Sequence, residues 1–118
     1  MYFQFLIFVN IMTKVTLYYA DWCGHCKNFK PIWNSLKPYF DKYNVEYKDY
    51  EEGVNPDVIK NDKIEAFPTI VIEKNDIKYE YNGDRTVDGL VRELIPNLQL
   101  GGYKGKNVKK YKIFYTKY

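Results

Sequence analysis

Two cysteines, Cys23 and Cys26, are the only thiols of the chain, and they stand in the tetrad Cys23, Gly24, His25, Cys26 between Ala20-Asp21-Trp22 and Lys27. Any thiol chemistry must happen here. A Cys-X-X-Cys pair serves either disulfide exchange or metal binding, and its surroundings decide between them. A structural zinc site takes about four ligands. The tetrad offers only Cys23, Cys26 and His25, so a metal site is not expected and the redox reading is preferred. That reading needs one sulfur to be available as a thiolate, the nucleophile of exchange.

The elements that must position such a sulfur flank it directly. Residues 14–20 (Lys-Val-Thr-Leu-Tyr-Tyr-Ala) are rich in β-branched and aromatic types and are expected to form a buried strand. Residues 24–43 carry Phe29, Ile32, Trp33, Leu36, Tyr39 and Phe40 at helical spacing. The pair therefore falls where a strand runs into a helix. The first turn of a helix has main-chain N–H groups without partners and a partial positive charge, which favour an anion. Cys23, opening the helix, should have its pKa lowered from about 8.5 into the range of roughly 3.5 to 7.5. Cys26, one turn further in, is the natural resolving thiol. His25 between them adds positive charge when protonated and a hydrogen-bond donor when neutral. Both effects favour the reduced form, and a pair stabilised when reduced is the more oxidising one. His25 thus argues for donating disulfides as well as reducing them.

Further along, residues 45–50 (Val-Glu-Tyr-Lys-Asp-Tyr) are expected to form a second strand, and Asn55-Pro56-Asp57 a helix start with Asn55 as the capping side chain. Thr69 to Glu73 and Ile77 to Tyr81 are expected to pair as a hairpin joined by Lys74, Asn75 and Asp76. Thr86 should cap a last helix, with Asp88 in its first turn and Leu90, Val91, Leu94 and Ile95 on one face, before Pro96 stops it. A parallel crossover between the first two strands followed by an antiparallel hairpin gives an α/β domain, a mixed sheet with helices on both faces.

The run Ala20 to Lys27, Pro31 within the long helix, Asn55-Pro56, Phe67-Pro68-Thr69 and Tyr81-Asn82-Gly83-Asp84-Arg85-Thr86 together resemble the thioredoxin superfamily. The Cys-Gly-His-Cys tetrad and the Tyr-Asn-Gly-Asp-Arg-Thr run are most similar to the catalytic domains of protein disulfide isomerases. The resemblance covers about residues 14–100 and implies a thioredoxin fold and a thiol–disulfide oxidoreductase acting through a mixed disulfide, with no cofactor. It implies that Cys23 is the attacking nucleophile, Cys26 the resolving thiol and His25 a tuning residue. Phe67 and Pro68 would face the cysteines, Pro68 through a cis bond, with the backbone of Phe67 pairing with substrate. Trp22 and Gly24 would complete the substrate-binding surface, Arg85 would lower the pKa of the second cysteine, and Pro31 would kink the helix. Partners implied are protein thiols and disulfides, with glutathione or a thioredoxin-reductase-type protein as candidates for regeneration.

One position departs from that pattern. Thioredoxins and isomerases carry a buried carboxylate six residues before the first cysteine, where this chain has Leu17. Proton transfer at Cys26 would then need water, His25 or the field of Arg85. Glutaredoxins also lack that acid, and the core, short of the strand and helix that precede the tetrad in thioredoxin, is of glutaredoxin size. A glutathione-linked reductase is therefore the alternative within the fold, and a non-enzymatic binding or structural module the alternative outside it.

At 118 residues the composition fits one domain, expected over 13–100, with extensions at both ends. Residues 1–12 are nearly all apolar, too short for a span of roughly 20 residues and without the features of a secretory signal. They are expected to cover part of the sheet or an interface. Residues 101–118 hold six lysines and no acid, interleaved with Tyr103, Tyr111, Phe114, Tyr115 and Tyr118. This basic tail could contact an anionic surface, against the plainer reading of a solvated extension. Lysine outnumbers arginine sixteen to two, a pattern of AT-rich coding consistent with a large DNA virus or an intracellular parasite. The tetrad suggests an oxidising secretory compartment or a viral particle, while the chain shows no clear signal peptide or retrieval motif; compartment and oligomeric state are left open.

Overall fold

Alternation of side chains along the first strand decides which way the sheet faces. In the computed structural model, which describes residues 12–96, this strand, β1 (Thr13–Tyr19), buries Val15 and Leu17 on one face. It is followed by α1 (Gly24–Lys42), β2 (Val45–Glu51), α2 (Pro56–Asn61), β3 (Thr69–Lys74), β4 (Ile77–Glu80) and α3 (Val87–Leu94). The order is the one expected from the sequence. The readings made for residues 1–11 and for the tail beyond Pro96 lie outside the described residues.

Strand order across the sheet is β2-β1-β3-β4, with β1 and β2 parallel and the other pairs antiparallel. The helical connection α1 is what allows the parallel pair. Leu17 lies beside Asp49 on β2 and beside Ile70 on β3, and Val15 beside Ile72. Onto this face α1 places Phe29, Trp33, Leu36 and Phe40, spaced to share one side of the helix, and α3 places Leu90, Val91 and Leu94. Trp33 is fully buried and packs against Phe40 and Tyr47, while its indole N–H donates to Asp49 Oδ2 at 2.9 Å. A buried indole needs such a partner. On the opposite face, Tyr18 stacks on Tyr50 and donates its hydroxyl to Asp62 Oδ2 at 2.7 Å, pinning the end of α2 to the sheet. Helices thus flank the sheet on both sides.

α1 runs without a break through two prolines, Pro31 and Pro38. Its C-terminal exit uses Asn44 at a φ of 59°, a left-handed position that asparagine tolerates. The hairpin is tighter than expected: Lys74 belongs to β3, and the turn is Asn75-Asp76, with φ of 50° and 72°. Positive φ at both central residues is the two-residue turn whose twist matches paired strands.

One expected cap is corrected. Asn55 precedes α2 but makes no side-chain bond to it; its Oδ1 instead accepts the N–H of Glu51 at 3.4 Å. The side chain reaches back to the end of β2 rather than forward into the first turn of α2. Thr86 does cap α3, its Oγ1 accepting Gly89 N–H at 3.0 Å.

Candidate active site

After Tyr19 the chain leaves β1, and Ala20 O accepts the N–H of Cys23 at 3.1 Å, closing the turn that delivers the tetrad. Cys23 is the N-cap of α1. Its backbone is extended (φ −85°, ψ 122°) and its sulfur accepts the N–H of Cys26 at 3.4 Å. Sulfur here takes the place that a serine or aspartate oxygen usually fills. Both cysteines are free thiols and both are buried, Cys26 more completely, at 2% exposure against 7%. With Ala20 they form a small apolar cluster beside the main core, bounded by Tyr19 and Phe67.

Facing them is the segment that enters β3. The Phe67–Pro68 bond is cis, Pro68 is buried, and Phe67 O accepts the thiol of Cys23 at 3.5 Å. Thr69 Oγ1 donates to Ala66 O at 2.7 Å and holds this turn. Trp22 meets the Phe67 ring edge-on at 6.1 Å, yet is 68% exposed. Its indole N–H donates to Glu52 Oε1 at 3.0 Å. The exposed Trp22 ring and the Phe67 carbonyl that accepts the Cys23 thiol therefore lie on the same side of the site.

The two thiols are tuned in opposite directions. Cys23 is lowered from the ordinary thiol range, first by the hydrogen bond from the Cys26 thiol, then by the main-chain N–H groups of Cys26 and His25 and the charge of Arg85. Cys26 is pushed up to about 11, foremost by burial and then by its thiol's bond to Cys23, against the lowering effect of Ala20 N–H and Arg85. No acidic residue occupies the first turn of α1, so its positive end is left for the sulfur.

The geometry brings Trp22, Cys23, Cys26, Phe67 and Pro68 together. His25 and Arg85 are both exposed. His25 reaches Cys23 through its main-chain N–H, and Arg85 through its charge, which favours the thiolate of either cysteine. Around Gly24 there is open space where a Cβ would stand. Leu17 is fully buried in the apolar core, and its in-register neighbour Asp49 holds a carboxylate bonded to Trp33.

Sequence reasoning missed Glu51, Glu52 and Thr69. Glu51 Oε2 accepts the N–H of Asp21 at 3.0 Å, and Glu52 N–H donates to Tyr19 O at 2.9 Å. The available signal was two adjacent acids closing a strand just before Gly53. Chemically, the site offers one sulfur tuned toward the thiolate and, more deeply buried behind it, one tuned toward the thiol.

A family model described as Thioredoxin matches residues 4–96. A protein disulfide-isomerase of Gallus gallus is 35% identical over 94 residues, covering 75% of this chain and 17% of that protein. Protein disulfide-isomerase TMX3 of Homo sapiens is 32% identical over 76 residues, covering 63% of this chain and 17% of that protein. The chain thus spans about a sixth of the length of these relatives. The solution structure of the first thioredoxin domain of mouse protein disulfide-isomerase A4 superposes with a TM-score of 0.60 at 22% identity, over 88% of this chain and 81% of that one. The mixed four-stranded sheet and its helices are a thioredoxin fold.

Proposed function

Because the chain belongs to the thioredoxin family, we propose that it is a thiol–disulfide oxidoreductase acting on protein disulfides through Cys23 and Cys26. The observation that carries this reading is the opposed tuning of the two sulfurs, Cys23 lowered at the helix N-cap and Cys26 raised behind it. Cys23 thiolate attacks one sulfur of a substrate disulfide, forming a mixed disulfide and releasing the other substrate sulfur as a thiolate. Cys26 then loses its proton and attacks the Cys23 sulfur. The intramolecular disulfide forms, the second substrate sulfur leaves, and two electrons have passed from the pair to the substrate. With the pair oxidised the same steps run in reverse and deliver a disulfide to a substrate dithiol.

Phe67 and Trp22 supply the substrate surface in this reading. Phe67 presents main-chain groups to an extended peptide next to Cys23, and Trp22 an exposed aromatic face. Arg85 assists the second step by favouring the Cys26 thiolate. Glutathione or a reductase-type protein would regenerate the pair.

Equilibration in glutathione redox buffers, with alkylation of Cys23 and Cys26 followed by mass, tests the reading. A potential near about −180 mV marks a disulfide donor or isomerase, and one near about −270 mV a reductase. Failure to form a reversible Cys23–Cys26 disulfide at any ratio overturns it. The buried Leu17, in the position where the isomerases carry an acid, favours a second reading, a non-enzymatic binding or structural module in which turnover is lost. Replacing both cysteines with serine would then leave partner binding intact.

A further inference from the structure

We infer that Glu51 is a positioning residue for the redox pair, its buried carboxylate holding the turn between β1 and α1 in the arrangement that serves both sulfurs. The inference rests on the oxidoreductase reading and names a residue that the mechanism above does not use.

Glu51 is the last residue of β2 and lies in parallel register with Tyr19, the last residue of β1. Its exposure is 8%, unusual for a carboxylate. A buried charge needs compensation. Among the described residues no salt bridge involves Glu51, and its partners are main-chain donors. Oε2 accepts Asp21 N–H at 3.0 Å and Oε1 accepts Val54 N–H at 2.9 Å. These bonds, led by Asp21 and joined by Gly53 N–H, hold its carboxyl below the usual range. Gly53 leaves the space this requires, since a Cβ there would stand 3.1 Å from Glu51 Oε1.

The residue tethered by Glu51 sits two places before Cys23 and immediately after Ala20. Ala20 acts on both sulfurs: its carbonyl accepts the Cys23 N–H, and its own N–H favours the thiolate of Cys26. Glu52 adds two ties to the same turn, one to Tyr19 O and one from the Trp22 indole. The end of β2 therefore grips residues 19, 21 and 22, and Ala20 is presented between them. Glu51 acts on the chemistry through Asp21 and Ala20 and touches neither sulfur.

Position and charge predict opposite signs for Cys23. Removing a negative charge near a thiolate favours the thiolate and lowers its pKa. Loosening the turn weakens the N–H groups gathered around the sulfur and raises it. The experiment compares wild type, Glu51→Gln and Glu51→Asp for Cys23 alkylation rate against pH, disulfide-exchange rate at pH 7 and thermal unfolding. Glu51→Gln should shift the alkylation profile to higher pH and slow exchange by about tenfold or more, the scale of a small misplacement of reacting groups. Glu51→Asp, which keeps the carboxylate, should show the same shifts at smaller size, and decides the matter if the glutamine variant does not fold. An active wild type with an alkylation profile unchanged, or moved to lower pH, in the variants overturns the positioning role alone. A wild type without exchange overturns it together with the reading on which it rests.

Discussion

The N-termini of α1 and α3 are built alike and used differently. Each has an extended N-cap residue whose side chain accepts the N–H three residues on: Cys23 from Cys26 at 3.4 Å, Thr86 from Gly89 at 3.0 Å. At α3 the positive end is compensated permanently by Asp88 in the first turn. The cap is also closed in, because a Cβ on Gly89 would come within 2.7 Å of Asp84 O. At α1 there is no acid in the first turn and open space around Gly24. The anion that this end favours has to be the Cys23 thiolate itself. One capping device serves stability at α3 and reactivity at α1, and the difference is whether the compensating charge is built in or created by ionisation.

Cys23→Ser should break the comparison most completely. Serine is a good N-cap, so the variant should unfold within about 1 kcal/mol of wild type. Exchange should disappear: the attacking sulfur is gone, and burial, the largest cause of the raised Cys26, keeps the remaining thiol a poor nucleophile near neutral pH. Exchange rate and thermal unfolding on the same sample check both halves.

The opposed thiols also give stability an opposed dependence on pH. Cys23, lowered on folding, contributes stability that is fully present above its unfolded pKa of about 8.5 and is lost as pH falls through the folded value. Cys26 is raised, so above about 8.5 the unfolded chain has released a proton that the folded chain still holds, and stability falls until about pH 11. Thermal unfolding of the reduced protein should therefore peak near pH 8 to 9, an order-of-magnitude placement from these shifts. Cys26→Ser should remove the alkaline decline contributed by that thiol and keep the rise on the acid side only as far as the serine hydroxyl replaces the thiol's bond to Cys23.

Much of this contrast could be read before any coordinates. The change from strand to helix at Cys23 is carried by local patterns, a β-branched run followed by apolar residues at helical spacing, and the Thr86 cap is equally local. The failures share a physical cause. Asn55 has the right type and place to cap α2, but a partner across the loop, Glu51 N–H, took its side chain. The main-chain N–H of His25, which the residue pattern did not single out, reaches Cys23, a consequence of where the helix begins. Glu51 was missed because its role arises only when β2 is set beside β1. Register between distant segments, which one chain's residue pattern does not contain, supplied the parts of the site that were not legible.

Gly24→Asp tests whether the empty first turn of α1 is what leaves its field to the sulfur. The side chain has room, since nothing stands within 4 Å of a Cβ there. An acid in this turn supplies the compensation that Asp88 supplies at α3. A charge at a helix end is worth about 0.3 to 1 kcal/mol, which through about 1.36 kcal/mol per pKa unit makes the Cys23 thiolate roughly two- to fivefold less favoured. The pH profile of Cys23 alkylation should move upward by the same factor. An unchanged profile would mean that the neighbouring N–H groups hold the sulfur without help from the helix field.

Thr86→Ala is the matching change at the other end and should have the smallest effect on chemistry. It removes the acceptor of Gly89 N–H and should cost about 1 kcal/mol of stability. Asp88 stays, so the helix keeps its compensating charge and α3 keeps Leu90, Val91 and Leu94 in the core. The Cys23 profile should not move, although Arg85, whose charge lowers both thiols, is the neighbouring residue. Thermal unfolding and alkylation measured together separate the two possibilities. A lower midpoint with an unaltered profile keeps the two caps independent, whereas a shift of Cys23 would show that the cap of α3 also holds Arg85 in place, joining the two helix ends in one site.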